Sequence, residues 1–256
     1  MKISIVTACF NSEDTIEDTL KSIAMQTHQD IEHIVIDGGS TDKTLEILND
    51  YKQNIAYLTS EPDEGLYDAM NKGISKATGD IIGLLNSDDL FASKNTLSLV
   101  NKALSNENVD GCFGDLVYVN QKDTNKIVRY WKSCPYESEL FAKGWMPAHP
   151  TFYVRKEVHD KYSIDFDVKY KLAADYDVLM RLLYTNKIKT TYIPEIMVKM
   201  RLGGATNKSL QNIIAQNKEI MAILKEHNYP FSSTKLFSQK IVDRLSQFIK
   251  KPAAIG

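Results

Sequence analysis

His33-Ile34-Val35-Ile36-Asp37-Gly38-Gly39-Ser40-Thr41-Asp42 decides the fold: a strand-like apolar run ends in an acid, turns on two glycines and reaches hydroxyl residues before a helical pattern. Ser40-Thr41 supplies the N-cap, and Leu45 and Leu48 continue as helix. The same rhythm extends outward. Residues 3–8 precede it as a strand, and residues 56–59 and 80–85 follow as two more. Between the first two strands, Ile16, Leu20, Ile23 and Ala24 form one apolar helix stripe. A third helix runs over 67–77 and stops before Gly79. Strands separated by helices predict a mainly parallel sheet, with ligands beyond the carboxyl ends of its strands.

From residue 111 the pattern changes. Residues 112–120 and 126–131 read as a hairpin around the polar stretch 121–125, and 175–184 reads as a helix with Val178, Leu179, Leu182 and Leu183 on one face. No linker divides residues 1–205, which read as one domain, followed by a helical extension over 206–256. In that extension 209–226 and 234–249 are helical. The second carries an apolar stripe of Leu236, Phe237, Ile241, Leu245, Phe248 and Ile249, and Lys235, Lys240, Arg244, Lys250 and Lys251 face Asp243 as the single acid. Two readings stand: a basic amphipathic helix on an anionic membrane or partner, or a helix packed on its own domain with a solvated lysine face.

Composition narrows the class. With 256 residues, 43% of them hydrophobic and 25% charged, the chain is long and balanced enough for a buried core. Lys plus Arg is 31 and Asp plus Glu 33, a net charge of −2, which argues against nucleic acid as a partner. Cys9, Cys112 and Cys134 have neither metal-site nor disulfide spacing, and Cys9 reads as a small buried residue. A reducing, cytoplasmic setting fits. The apolar start is too short for a signal peptide, and no stretch approaches the ~18 residues of a membrane span, so neither export by that route nor membrane crossing is expected.

Neither GxGxxG nor GxxxxGK[ST] follows a strand. Acids follow instead: Asp37 and Asp42 after the second strand, and Asn86-Ser87-Asp88-Asp89 after the fourth. Carboxylates converging on one sheet edge call for a cation, and oxygen ligands suit Mg²⁺ or Mn²⁺ bridging substrate phosphates. The alternative has Asp88 capping the next helix and Asp89 solvated.

In their order, Ser4-Ile5-Val6-Thr7-Ala8-Cys9-Phe10-Asn11, Val35-Ile36-Asp37-Gly38-Gly39-Ser40-Thr41-Asp42, Asn71-Lys72-Gly73 and Asn86-Ser87-Asp88-Asp89 resemble the motifs of family two glycosyltransferases, nearest the branch acting in bacterial surface polysaccharide synthesis. The likeness continues through Pro147-Ala148-His149-Pro150-Thr151-Phe152, Ala174-Asp175-Tyr176-Asp177 and Arg201-Leu202-Gly203-Gly204, so it spans roughly 3–205. It implies an α/β, GT-A (Rossmann-like) fold with an open mixed, mainly parallel sheet flanked by helices. Residues 1–115 would then form the nucleotide-sugar half and 116–205 the acceptor half.

By the resemblance, Thr7 and Asp37 flank the nucleobase, which favours uridine, Asp88 holds ribose hydroxyls and Asp89 binds the Mn²⁺ or Mg²⁺ on the diphosphate. Many relatives carry a second acid where Gly38 stands and an acid where Asn86 stands. Asp63, Asp68 and Asn71 are expected near the donor, although helix capping explains Asp63 and Asp68 nearly as well. Asp175 matches the acid this family uses as base, at a helix start that favours its ionised form. The other reading of Asp175 is a cap, and Asp177 is then the structural acid.

His149 completes the metal shell or contacts phosphate, or else is a packed imidazole. Arg201, before the flexible pair Gly203-Gly204, closes on phosphate or forms a surface ion pair. Trp131 and Trp145 stack on a sugar or pack in the core. The expectation is an inverting, metal-dependent transferase moving a hexosyl or N-acetylhexosaminyl group from a nucleotide diphosphate donor, UDP-linked, to a glycan or lipid-linked oligosaccharide. It would work in the cytoplasm, with residues 234–251 as a peripheral contact to the inner face of the membrane. Its rivals are a silent nucleotide-sugar binding or scaffold protein and a nucleotidyltransferase.

Overall fold

The structure, a computed structural model, describes residues 1–203, 209–249 and 252. The chain runs β1 (Ile3–Cys9), α1 (Ile16–Ala24), β2 (Ile31–Asp37), α2 (Thr44–Asp50), β3 (Tyr57–Ser60), α3 (Leu66–Lys76), β4 (Ile81–Leu84), β5 (Asp89–Phe91) and α4 (Thr96–Leu104). There follow β6 (Gly111–Val119), β7 (Ile127–Trp131), β8 (Tyr153–Arg155), α5 (Lys156–Tyr162), α6 (Ala174–Leu179), β9 (Thr190–Arg201), α7 (Leu210–Glu226) and α8 (Ser233–Ile249). Every strand and helix read from the sequence is present, within a few residues of its expected ends. A π-helical turn over Met180–Thr185 continues α6, and Val178, Leu179, Leu182 and Leu183 are all buried.

Nine strands form one sheet in the order β3-β2-β1-β4-β8-β6-β9-β5, with β7 paired to β6. Strands β1, β2, β3, β4, β6 and β9 run one way, and β5, β7 and β8 the other. The carboxyl ends of β1, β2, β4, β6 and β9 therefore share an edge with the start of β5 at Asp89. That edge carries the site. Strands β1, β4 and β6 are buried along their whole length, which is why they read as unbroken apolar runs.

On one side of the sheet, α3 lies close because Gly73 has no side chain: a Cβ there would stand 2.3 Å from Val6 Cγ1. This close approach sets the start of α3 over the sheet edge. On α1 the inner face is Ile16, Thr19, Leu20 and Ile23, whereas Ala24, expected in the stripe, is exposed. Thr19 belongs inside because its hydroxyl donates to the carbonyls of Ser87 at 3.0 Å and Asp89 at 2.7 Å, which fixes the turn between β4 and β5. The expected cap of α2 also differs. Asp42 Oδ1 accepts from Thr44 N at 2.9 Å, while Ser40 turns back to Asp37.

The C-terminal helices are built into the domain. Ile220, Ile223, Leu224, Tyr229 and Leu236 are buried in the same core as α6. Each buried aliphatic side chain contributes about 1.5–3 kcal/mol, enough together to hold both helices down. Beyond Leu236 α8 departs from the packed reading with a solvated lysine face: Ile241, Val242, Leu245 and Phe248 are 50–61% exposed, and Lys240, Asp243, Arg244 and Gln247 face a cleft. Gly204, the Ile249 side chain, Lys250 and Lys251 lie outside the described residues. Among the described residues no helix is long and apolar enough to cross a membrane.

Candidate active site

A cleft of about 550 Å³ opens at the shared sheet edge, between the Asn86 turn, the β6–β7 hairpin, the start of α6 and the inner side of α8. Its first wall is the turn from β4 to β5. Asn86 Nδ2 donates to Asp89 Oδ2 at 3.1 Å, and Asn86 Oδ1 and Asp89 Oδ1 are both buried without a hydrogen-bond partner. Burial, then the neighbouring Asp88, pushes the Asp89 carboxyl well above the usual carboxylate range. Two orphaned acceptor oxygens on one hydrogen-bonded pair of side chains fit a hard divalent cation. Among the described residues no three His, Cys, Asp or Glu side chains gather into a metal cluster, so the remaining ligands would be phosphate oxygens and water. Magnesium sites are commonly completed in that way.

Arg201, expected on phosphate, is 4% exposed and fully engaged. It donates to Asp88 O at 2.9 Å and Gln121 O at 3.2 Å, and pairs with Asp18. The guanidinium thus ties α1, the hairpin and the Asp88 backbone together and positions the turn between β4 and β5. Arg201→Met is expected to lower stability by about 2–4 kcal/mol, mainly from the two carbonyls left unpaired, because Asp18 is half exposed and rehydrates. Urea denaturation checks this; unchanged stability with weakened nucleotide binding would return Arg201 to the phosphate.

The expected nucleobase residues are fully buried. Thr7 is fully buried, with its Oγ1 3.1 Å from His33 Nε2. Asp37 is fully buried too. Its Oδ2 accepts from Gly39 N at 3.1 Å, Ser40 N at 2.9 Å and Ser60 Oγ at 2.6 Å, and its Oδ1 accepts from Ser40 Oγ and, at 3.5 Å, from the Cys9 thiol. That carboxylate is a clamp for the β2–α2 turn, with no lone pair left for an imide. Asp63, half-buried, stands beside the same turn. A Cβ built at Gly38 would lie 2.5 Å from Asp63 Oδ2, so this carboxylate fills the space a second acid at 38 would take.

Two other expected donor contacts serve α3 and its surroundings. Asp68 Oδ2 accepts from Glu64 N at 3.1 Å and pairs with Lys72 at 3.2 Å, which holds its carboxyl below the usual range. Asn71 exchanges hydrogen bonds with the backbone of Phe166, at 2.9 Å and 2.8 Å. That grip stacks Phe166 on Tyr67 at 5.2 Å and sets it 5.4 Å from the His149 ring. Neither residue lines the cleft.

Asp175 forms the second wall. Its Oδ1 accepts from Tyr176 N at 2.8 Å and Tyr67 Oη at 3.4 Å. The helix start does not prevail here: burial pushes the carboxyl up to about 6, against the pull of those donors and of Lys240. A carboxylate of that basicity, open to a cleft, is suited to take a proton near neutral pH. Asp177 is the structural acid, paired with Arg181 at 2.9 Å and His227 at 3.0 Å. His149 shares this side of the cleft, and burial holds its imidazole down at about 4, hence neutral. Trp131 stacks on Tyr118 and Trp145 on Tyr136, and both also line the cleft.

Three cleft residues escaped the sequence reading of the site. Tyr67 touches the candidate base. Lys240, on α8, donates to Asn217 Oδ1 at 2.7 Å and is drawn down to about 8 by burial, with Asp175 opposing. Arg129 is a charge inside an otherwise apolar and aromatic strand, and that was its available signal.

A one-sheet α/β architecture, mixed and mainly parallel, with a carboxylate-bearing turn at the strand ends and a second acid across the cleft is the arrangement of a GT-A-like fold. Residues 4–163 match the family described as Glycosyl transferase family 2, and the chain belongs to that family. It is a GT-A fold glycosyltransferase. An uncharacterized glycosyltransferase of Mycobacterium tuberculosis is 33% identical over 182 residues, 70% of this chain and 68% of that protein. A PGL/p-HBAD biosynthesis glycosyltransferase of Mycobacterium bovis is 29% identical over 209 residues, 80% and 78% of the two chains. Among solved structures, S. aureus TarS 1-349 in complex with UDP superposes with a TM-score of 0.66 at 20% identity, over 94% of this chain and 71% of that one. Glucosyl-3-phosphoglycerate synthase of Mycobacterium tuberculosis, in complex with Mn²⁺, UDP and phosphoglyceric acid, gives 0.62 at 18% identity, over 90% and 80%.

Proposed function

We propose that the protein transfers a sugar from a UDP-linked donor to a hydroxyl of a glycan or lipid-linked oligosaccharide, with inversion and with Mn²⁺ or Mg²⁺ on the diphosphate. One observation carries the reading: Asn86, on one wall of the cleft, holds the fully buried Asp89 by a hydrogen bond, both side chains keep an orphaned oxygen, and the other wall presents the Asp175 carboxylate. Asp175 takes the acceptor proton as the hydroxyl oxygen attacks the anomeric carbon, while the diphosphate leaves from the opposite face. Asp89 and Asn86 hold the cation, Asp88 holds ribose and Asp63 meets the base. The cation, when bound, neutralises charge on the departing diphosphate. His149, neutral, is available to that shell or to phosphate.

The two solved structures described with UDP favour a uridine donor, and the biosynthetic relatives favour a glycan or lipid acceptor. A melting-temperature screen of uridine, guanosine and deoxythymidine diphosphate sugars, with and without Mn²⁺, tests the donor. Stabilisation by uridine diphosphate sugars that requires the metal is expected. No shift and no transfer with any of them would overturn the reading.

The exposed Ile241, Val242, Leu245 and Phe248 of α8 support peripheral membrane contact at the cytoplasmic face. Vesicles of phosphatidylglycerol and phosphatidylcholine should co-sediment the protein, and Leu245→Glu with Phe248→Glu should abolish it. Equal sedimentation of the double variant would remove the membrane contact.

A further inference from the structure

Arg129, in the middle of β7, is only 8% exposed, yet it lines the cleft. Its guanidinium lies 3.7 Å over the Tyr118 ring, with the Phe248 ring 5.9 Å away. Its Nε is buried without an acceptor, and the groups that bear on its charge are Tyr118 and the like-charged Arg244, with no carboxylate among them. A buried cation without a counter-charge is costly, and its retention beside a cleft calls for an anion supplied from outside the chain.

The register says where that anion sits. Arg129 stands opposite Tyr118, Tyr118 opposite Met200 and Met200 opposite Asp89, in one row across β7, β6, β9 and β5. Side chains directly opposite one another share a face, and three strand spacings of about 4.8 Å put the ends of the row about 14 Å apart. Tyr118 and Met200, the two residues between, both line the cleft. The long Arg129 side chain leans along the row over Tyr118, toward Asp89. Arg244 of α8 adds a second positive charge beside it. Asp175 lies away from this row, on α6.

We infer that Arg129 binds the β-phosphoryl oxygens of the nucleotide diphosphate, the role that the engaged Arg201 leaves open; this rests on the nucleotide-diphosphate donor proposed above. In the transfer the bond from the anomeric carbon to the β-phosphoryl oxygen breaks and its electron pair stays on that oxygen. The acceptor oxygen forms the new bond, and its proton passes to Asp175. The rising charge on the departing oxygen meets the planar, two-pronged donor of Arg129.

Titration calorimetry on the full chain with Mn²⁺, using UDP, UMP and uridine as probes, tests this. Arg129→Gln should weaken UDP by about 10- to 100-fold and leave UMP and uridine within twofold, with Arg129→Lys between. Circular dichroism and melting establish that each variant is folded; if Arg129→Gln is not, Arg129→Lys carries the comparison, its charge retained and its fork lost. Unchanged UDP affinity overturns the assignment. So does a parallel loss for UDP and UMP, or a raised acceptor KM with UDP affinity intact. A wild-type protein that binds no UDP overturns the donor reading and this inference together, which separates the two failures.

Discussion

Asp175→Asn should lower kcat by about 10²- to 10⁴-fold, the range that a positioned general base supplies, while UDP affinity stays within a factor of two. The amide keeps the hydrogen bond from Tyr176 N and cannot take a proton. In the wild type, activity should fall as pH drops through about 6, where the buried carboxyl protonates. The same substitution should stabilise the fold at neutral pH. The Asp175 carboxyl is raised in the fold from an ordinary 3.8 to about 6, so its contribution to stability is full below 3.8 and is lost as pH rises through 6. Above that pH the folded protein holds a buried charge that the unfolded chain leaves in water. Removing it should gain on the order of 1–3 kcal/mol at pH 7.5. A melting curve and a turnover assay on one preparation read both effects. Unchanged turnover would remove Asp175 from the chemistry; lost turnover with lost stability would make it a structural acid like Asp177.

Asp89→Ala should remove the metal response altogether. Wild-type protein with UDP and Mn²⁺ at about one hundred times Kd should gain about 2.7 kcal/mol of stability, and the variant should gain none from the metal. Turnover should fall by about 10²- to 10³-fold, the cost of losing one preorganised electrostatic contact to a developing anion. The variant leaves Arg201, Thr19 and the hairpin in place, so its metal-free melting should stay near wild type or rise with loss of a buried, unpartnered carboxyl oxygen. Full metal stimulation in Asp89→Ala would show that the cation binds elsewhere.

The sheet was legible because β1, β2 and β4 are buried almost completely, so each reads as an apolar run, and the amphipathic helices between them mark the crossovers. The acids at the strand ends were legible for the same reason. What sequence could not separate was a ligand from a clamp. Asp37 has the residue type and place expected of a nucleobase contact, but its acceptors are taken partly by Ser60, a residue 23 positions away that only the parallel pairing of β2 with β3 brings near. Arg201 is spent in the same way on Asp18 and the Asp88 backbone. For α8 the periodicity was legible and the facing was left open between two readings, because amphipathicity does not state which face of a helix its own domain covers. Arg129 needed three strand pairings before its unpaired charge could be placed in the row that leads to Asp89.

The most direct measurement is a crystal structure of the protein soaked with UDP and Mn²⁺. It should show the ion on the Asp89 carboxylate at about 2.1 Å, the diphosphate between Asp89 and Arg129, and the Asp175 carboxylate open to the acceptor side of the cleft. An ion held away from Asp89, or a diphosphate lodged against Asp175, would contradict the account.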